Sequence, residues 1–454
     1  MSQHEITAPQ RLLNASGDIA EPGFAKKLYW KYDRNDIKAP KWRIKEWDYY
    51  YIGTQDYGLC LTLSDAGFVS SLSVSLLGFG EKPFQLNGSE MGAFPLGKLH
   101  LPWTSERGSV AAKVGKLWMN FENDGEKRRL QGVYTNYLKS GKDLVFDVTL
   151  TGIPEESMVI ATPFEKPRHF YYNQKINCMY ADGIASYDGK DYVFDSKKGA
   201  MGTLDWGRGV WTYDNTWYWG SGQMLLESGD RFGFNIGYGF GDTSAASENM
   251  LFYNGKSHKL KDVSFEIPKK EDGSFDYMKP WTFHETDGRF EMTMTPVLDR
   301  QAPANFGVIM MIPHQVFGKI SGIHQVVDQK RCFSLEDMGK QLVGLLGGSF
   351  FPGDQGSILL GPLGIIHADA ALFEHPLQQG DDRMPGPSGC RFENRGNFRH
   401  GAGRVIPQHF HDFPFCFCYL YSHNLHLRKM VDDRLRFEVY SCLPNFVNRF
   451  FLKK

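Results

Sequence analysis

Seven consecutive residues, Lys45-Glu46-Trp47-Asp48-Tyr49-Tyr50-Tyr51, combine carboxylates, phenols and an indole. These are the side chains that transfer protons and hold apolar or planar ligands. On a strand, neighbouring side chains point to opposite faces, so Glu46, Asp48 and Tyr50 share one face and Trp47, Tyr49 and Tyr51 the other. If the acidic face turns into a closed sheet, two carboxylates and a phenol share a space of low dielectric, where one carboxyl can hold its proton and act as an acid. If it turns outward, the commoner place for acids, the same residues are solvated.

A second group is Asp205-Trp206-Gly207-Arg208-Gly209-Val210-Trp211, followed by Trp217, Tyr218 and Trp219. Arg208 offers a planar fork suited to a carboxylate, and its flanking glycines let backbone or ligand approach closely. Trp211, Tyr213, Trp217 and Trp219 would form a wall for a flat apolar molecule or a stacked sugar. Packing in a core is the plain alternative for any one of them. Third, Phe232, Phe234, Ile236, Tyr238 and Phe240 alternate with Gly233, Asn235, Gly237, Gly239 and Gly241. One face of that strand is nearly bare, which marks a cavity floor or a sharply curled corner. Glu248, in Ser247-Glu248-Asn249, is the acid expected to pair with Arg208. These groups assign Asp48 and Glu248 as proton donors, and Glu46, Trp47, Tyr50, Trp206, Arg208, Trp211, Trp217, Trp219 and Asn249 as ligand contacts. His409, His411, Cys416, Cys418, His423 and His426 are of metal-binding type, yet their spacing matches no zinc module, and no metal is expected. No phosphate loop, nucleophile elbow or dinucleotide fingerprint occurs, so no cofactor is expected either.

The elements that position these residues read as strands. Leu59, Leu61 and Leu63 alternate with Cys60, Thr62 and Ser64, and after Asp65-Ala66-Gly67 the period resumes with Leu72, Val74 and Leu76, which describes a hairpin. Leu144 to Leu150 and Phe290 to Met294 repeat the form. Asn254-Gly255 suits a two-residue type I′ turn, whose central residues both need positive φ, and Asp214-Asn215 is a second candidate turn. Gly and Pro interrupt nearly every window long enough for a helix before residue 330. Many short strands close most economically into barrels. The expected architecture is therefore all-β, with a capping arm at 1–41, one antiparallel barrel at 42–165 and a second at 166–328, joined near Pro163 and Pro167.

From residue 329 an irregular extension is expected to run to 454. Lysine outnumbers arginine 26 to 11 before residue 331, and arginine outnumbers lysine 10 to 4 from there on. All ten tryptophans lie before residue 282. Such a change fits either an added, partly folded extension or a segment read from a different frame or a retained intron. The formal charge of −1 supplies no field for nucleic acid. No run of about 18 apolar residues is present, so no membrane span is expected and the cytoplasm is the default location. Only Cys60 and Cys178 precede residue 331, which excludes a disulfide scaffold for the main body.

On Lys45-Glu46-Trp47-Asp48-Tyr49-Tyr50, Asp205 to Trp211, Glu248-Asn249 with Asn254-Gly255, and Gln315-Val316-Phe317-Gly318 with Gly322, the chain resembles the family catalogued as domain of unknown function 2804, over about residues 5 to 340. That family is distantly similar to calycin proteins built from two lipocalin-like barrels, a group that includes carotenoid hydratases and terpenoid cyclase-like enzymes. The resemblance implies a fold and leaves the reaction open. The functional expectation is a hydrophobic small molecule, an isoprenoid or lipid, held in a barrel mouth or between barrels, with acid-assisted hydration, isomerisation or cyclisation as the chemistry. Carbohydrate recognition or glycoside processing is the alternative, and a scaffold without ligand is the third.

Overall fold

The structure, a computed structural model, describes residues 3–212, 217–301, 304–305, 310–311, 314–326, 331–334, 343–348, 356–360 and 364–368. Its regular elements are β-strands and single 3-10 turns, with no α-helix among the described residues. No described helix is long and apolar enough to cross a membrane.

Two antiparallel sheets carry most of the strands. The first has 13, running in the order Phe84–Ala93, Val69–Gly78, Tyr57–Asp65, Lys45–Gly53, Met201–Val210, Phe170–Tyr187, Leu144–Thr151, Arg128–Tyr134, Leu117–Asn123, Val110–Val114, with three more paired beside that path. The hairpin read from the leucine alternation is present, with Leu63 opposite Leu72 and Leu61 opposite Val74. The sheet curls until its far end returns on the Phe84–Ala93 strand, where Tyr134 Oη lies 3.2 Å from Ser89 O and donates to Glu90 Oε1 at 3.0 Å. Leu59, Leu61, Leu63, Leu72, Val74, Leu130, Val148 and Leu150 fill its interior without exposed surface. Each such side chain contributes roughly 1.5–3 kcal/mol relative to remaining in water.

The second sheet has 10 strands, nine of them in the order Lys256–Lys259, Met250–Tyr253, Arg231–Tyr238, Tyr218–Leu225, Val343–Gly348, His314–Val326, Phe290–Gln301, Trp281–Glu285, Val263–Glu266, with Arg331–Ser334 paired beside His314–Val326. Its core holds Phe232, Phe234, Ile236, Leu251, Phe283, Met292 and Met294. Asn254 and Gly255 form the expected two-residue turn, at φ 47° and 81°, between Tyr253 and its partner Lys256. The Asp214-Asn215 turn falls outside the described residues. Among the described residues the protein is thus all-β, built on two curled antiparallel sheets, as the strand pattern leads one to expect.

Each sheet curls around its own core, and the two meet through their outer faces. Tyr51, Cys60, Leu77 and Phe79 of the first pack with Leu298 and Phe317 of the second. Phe24, Met158, Ile160, Tyr171 and Met201 pack with Met250 and Phe252. This seam is the third apolar layer of the molecule.

The sheets divide the chain at residues 211–217. Pro163 and Pro167 lie at the turn of a hairpin inside the first sheet, between Met158–Pro163 and the 18-residue strand Phe170–Tyr187, which pairs with four others of that sheet. The strand Gly23–Ala25 of the N-terminal arm joins the same sheet beside Met158–Pro163. Beyond residue 331, Arg331–Ser334 pairs with His314–Val326, and Val343–Gly348 lies between that strand and Tyr218–Leu225.

Candidate functional site

The Lys45–Gly53 strand turns its acidic face into the first sheet, so Glu46, Asp48 and Tyr50 are buried, at 2%, 7% and 3% exposure. Arg208, on the adjacent strand and fully buried, extends across this face. Its Nη2 donates to Asp48 Oδ1 at 2.9 Å and to Pro102 O at 2.8 Å, and its Nη1 donates to Trp47 O at 2.7 Å and Gly207 O at 2.9 Å. The guanidinium lies over the Trp206 ring, 4.2 Å from its centroid. Glu46 accepts from Tyr32 Oη at 2.8 Å and from Arg34, both residues of the N-terminal arm. Burial raises the Asp48 carboxyl pKa, and the Arg208 charge opposes the rise. The free space beside Asp48, Tyr50, Arg128 and Trp206 is about 10 Å³, no more than one water occupies. The arrangement is a closed ion-pair network that ties arm, sheet and core together.

The opposite face of the same strand looks into the seam. Trp47 stacks on Tyr171 with centroids 5.9 Å apart, and Trp211 meets Trp47 edge-on at 5.2 Å. Phe240 receives Trp211 at 5.5 Å and Trp217 at 5.2 Å. Of the aromatic side chains expected to form a wall, Trp211 and Trp217 both pack edge-to-face on Phe240 and Trp219 meets Tyr49 at 6.4 Å, while Trp206 belongs to the interior of the first sheet. Tyr213 lies outside the described residues, as do His409, His411, Cys416, Cys418, His423 and His426.

One row further along the seam is a buried charge cluster. Lys175 Nζ lies 3.1 Å from Asp205 Oδ1 and 3.7 Å from Glu248 Oε2, over the Trp219 ring at 4.6 Å. Asn235 links the cluster, accepting from Trp219 Nε1 at 2.7 Å and donating to Glu248 Oε2 at 3.1 Å. The expected pairing of Glu248 with Arg208 is corrected here: Arg208 faces the first core and binds Asp48, and the cation beside Glu248 is Lys175. Burial raises the Glu248 carboxyl pKa, with Lys175 opposing. The bare face of the Arg231–Tyr238 strand is explained by close approach, since a Cβ on Gly237 would strike the Glu248 carboxylate and one on Gly233 would sit 2.6 Å from Cys178 Sγ. Asn249 is used internally, accepting from Gly237 N–H at 2.7 Å and donating to Lys261 O at 2.9 Å.

Beyond that cluster the seam opens into a cavity of about 290 Å³, lined by Tyr51, Met201 and Thr203 of the first sheet and Ser221, Gln223 and Met224 of the second, with Leu225 and Leu226 nearby and Lys197, Lys198 and Glu227 also on its wall. Two glycines facing each other across strands, Gly53 and Gly58, leave the slot in which the Tyr51 ring lies; a Cβ on Gly58 would come within 2.8 Å of Tyr51 Cε2. The Phe170–Tyr187 strand has a β-bulge between Ile176 and Met179, with Cys178 at φ 64°. The bulge turns the Cys178 N–H toward Gln223 Oε1, 2.7 Å away, and Asn177 Nδ2 toward Ser221 Oγ, also at 2.7 Å. Bulges re-aim groups in this way beside functional sites. Tyr51 Oη and Gln223 Nε2 are both buried without a hydrogen-bond partner.

Sequence reasoning did not single out Tyr51, Thr203, Ser221 or Gln223 as a group, nor Lys175. The available signal was Asn173-Gln174-Lys175 with Asn177 inside one long strand, since polar side chains on both faces of a buried strand require partners on both sides.

Among curated proteins none matches this chain. Kievitone hydratase from Nectria haematococca is similar in structure at 11% identity, covering 75% of this chain and 98% of its own, with a TM-score of 0.38. The protein CghA is similar at 10% identity, over 77% of this chain and 96% of its own, with a TM-score of 0.39. The assignment of the chain comes from its sequence: residues 3–338 match the model of the domain of unknown function DUF2804, and the chain belongs to that family.

Proposed function

We propose that the chain binds a hydrophobic small molecule, of isoprenoid or lipid type, in the cavity between its two sheets. The feature that carries this reading is a cavity of about 290 Å³ whose wall combines Met201, Met224, Leu225 and Leu226 with Tyr51, Thr203, Ser221 and Gln223. A volume near the lower end of ligand pockets, with polar and apolar groups both on its wall, suits a compact ligand that joins an apolar body to a polar end. Trp47 and Trp211 are engaged edge-to-face with each other, and Trp211 and Trp217 with Phe240, which favours this reading over stacking of a saccharide on these rings. Of the two acids expected to donate protons, Glu248 shares the seam with the cavity and Asp48 faces the filled interior of the first sheet. Glu248 is accordingly the acid assigned to any hydration, isomerisation or cyclisation of the bound molecule.

The test is a set of calorimetric titrations with a retinoid, a fatty acid and an oligosaccharide, on the wild-type chain and on Met224→Trp, which fills the cavity. Binding of an apolar probe that is lost in Met224→Trp at retained melting temperature is the expected result. Binding unaffected by that substitution, or confined to the oligosaccharide, overturns the proposal.

A further inference from the structure

The acid named above can be specified further. This inference rests on the proposed function only for the choice of Glu248, and its test needs no ligand, so either can fail without the other. Two carboxylates and one ammonium meet in the seam, where the side chain of Lys175 is 3% exposed, that of Asp205 13% and that of Glu248 12%. Lys175 Nζ stands 3.1 Å from Asp205 Oδ1 and 3.7 Å from Glu248 Oε2, so Asp205 is its nearer partner. Asp205 Oδ1 also accepts from Asn173 Nδ2 at 2.6 Å. The other titratable groups facing Glu248 do not balance the second carboxylate. Lys259 Nζ lies 2.8–3.0 Å from Ser247 Oγ, Asn249 O and Leu260 O, and burial lowers its pKa to about 7, so above that pH it brings no charge. Tyr171 is a buried phenol that keeps its proton.

One ammonium cannot neutralise two buried carboxylates, and when like charges share a desolvated site one of them takes up a proton. From this imbalance and from the distances we infer that Glu248 is a neutral carboxylic acid at neutral pH, with its proton on Oε1, and that Lys175 and Asp205 are the fixed ion pair that positions it. The choice of oxygen follows from Asn235. Its Oδ1 accepts from Trp219 Nε1, which can only donate, so the Nδ2 end of the amide faces Glu248 and donates to Oε2 at 3.1 Å. Oε2 is therefore the carbonyl oxygen and Oε1 the hydroxyl. Oε1 lies over Gly237, where a Cβ would collide with it. It has no hydrogen-bond partner among the described residues, yet it is not one of the atoms sealed from water. Its proton thus faces accessible space rather than protein, which is where a general acid must carry it. Burial raises the Glu248 carboxyl pKa and Asp205 adds to the rise, against the opposing Lys175 and Asn235.

The experiment is infrared spectroscopy of the full chain carrying isotope-labelled glutamate carboxyls, recorded at pH 8, where a glutamate in water is ionised. The wild type is expected to show the C=O band of a protonated glutamate, and Glu248→Gln is expected to lack it. Asp205→Asn leaves Lys175 with a single carboxylate to pair, so Glu248 should ionise and the band should vanish although Glu248 is still present. An Asp205 that only supported the fold would leave the band in place. A wild-type spectrum without the band, or a band that survives Glu248→Gln, overturns the inference. A band unchanged in Asp205→Asn overturns the positioning role of the Lys175–Asp205 pair. Should Asp205→Asn fail to fold, Asp205→Ala serves in its place, and the comparison of wild type with Glu248→Gln decides the protonation state without either.

Discussion

Replacing Arg208 by Ala removes the most heavily used side chain in the first core, and the structure fixes what should happen. Arg208 is fully buried and makes four hydrogen bonds, three to backbone carbonyls and one to Asp48, with its Nε 4.0 Å from Glu46 Oε1. Deleting one partner of a buried ion pair costs about 3–5 kcal/mol, because the other charge is left uncompensated. The carbonyls of Trp47, Gly207 and Pro102 also lose their donor, so a loss on the order of 4 kcal/mol or more is expected, a large share of the roughly 5–15 kcal/mol that holds a domain folded. The loss should depend on pH with a defined sign. Burial already raises the folded-state pKa of Asp48 above its ordinary value, and Arg208 is the largest influence opposing that rise. Without the guanidinium the folded-state pKa climbs further while the unfolded value is unchanged. A group with a raised acid pKa contributes stability at low pH that is lost as pH rises through the folded pKa. The deficit of Arg208→Ala relative to wild type should therefore be smaller at pH 5 than at pH 8. Urea denaturation at both pH values measures it, and a double-mutant cycle with Asp48→Asn should give a coupling of about 2 kcal/mol. A variant with unchanged urea midpoint and weakened ligand affinity would refute the structural role and return Arg208 to the binding site.

Two further substitutions probe the seam. Gly237→Ala would push a methyl group against the Glu248 carboxylate and within 2.8 Å of Tyr218 O, and a destabilisation of about 1–3 kcal/mol by chemical denaturation is expected; a neutral result means the seam is looser than drawn. Lys259 Nζ lies 2.8–3.0 Å from Ser247 Oγ, Asn249 O and Leu260 O, and burial lowers its pKa to about 7. Between that value and 10.5 the unfolded chain binds the proton and the folded chain does not, so stability rises with pH through this window, by about 1.4 kcal/mol per pH unit for one lysine. Lys45, also lowered to about 7 by burial, adds to the wild-type slope. Lys259→Met should reduce the slope between pH 8 and 9 by one proton's worth, and an unchanged slope would show Lys259 to be protonated in the folded state.

Where one strand face is buried and the other wet, the fold was legible from side-chain period alone. Leu59, Leu61 and Leu63 are buried as the alternation requires, and Asn254-Gly255 turns as its residue types demand. The same parity separated Glu46, Asp48 and Tyr50 from Trp47, Tyr49 and Tyr51, but could not say which set faces the first core and which the seam. The question had little purchase on a strand buried on both sides. Phe170 to Met179 is buried at every position, so its polar residues show no period, and the cluster around Lys175 stayed hidden. The bulge at Cys178 shifts the register without an obvious mark in sequence, which is why the Gln223 contact could not be anticipated. Pairing Glu248 with Arg208 failed for a related reason: both are buried charges, and only the three-dimensional arrangement reveals that Asp48 and Lys175 stand nearer.

The seam has a mechanical consequence. A molecule lodged there touches both halves of the protein at once, with Tyr51 on one wall and Gln223 on the other, and so behaves as a rivet. Pulling the halves apart would have to break its contacts before any strand unzips. Occupancy should then register as added resistance in a force spectrum, at an extension too short for either barrel to have opened.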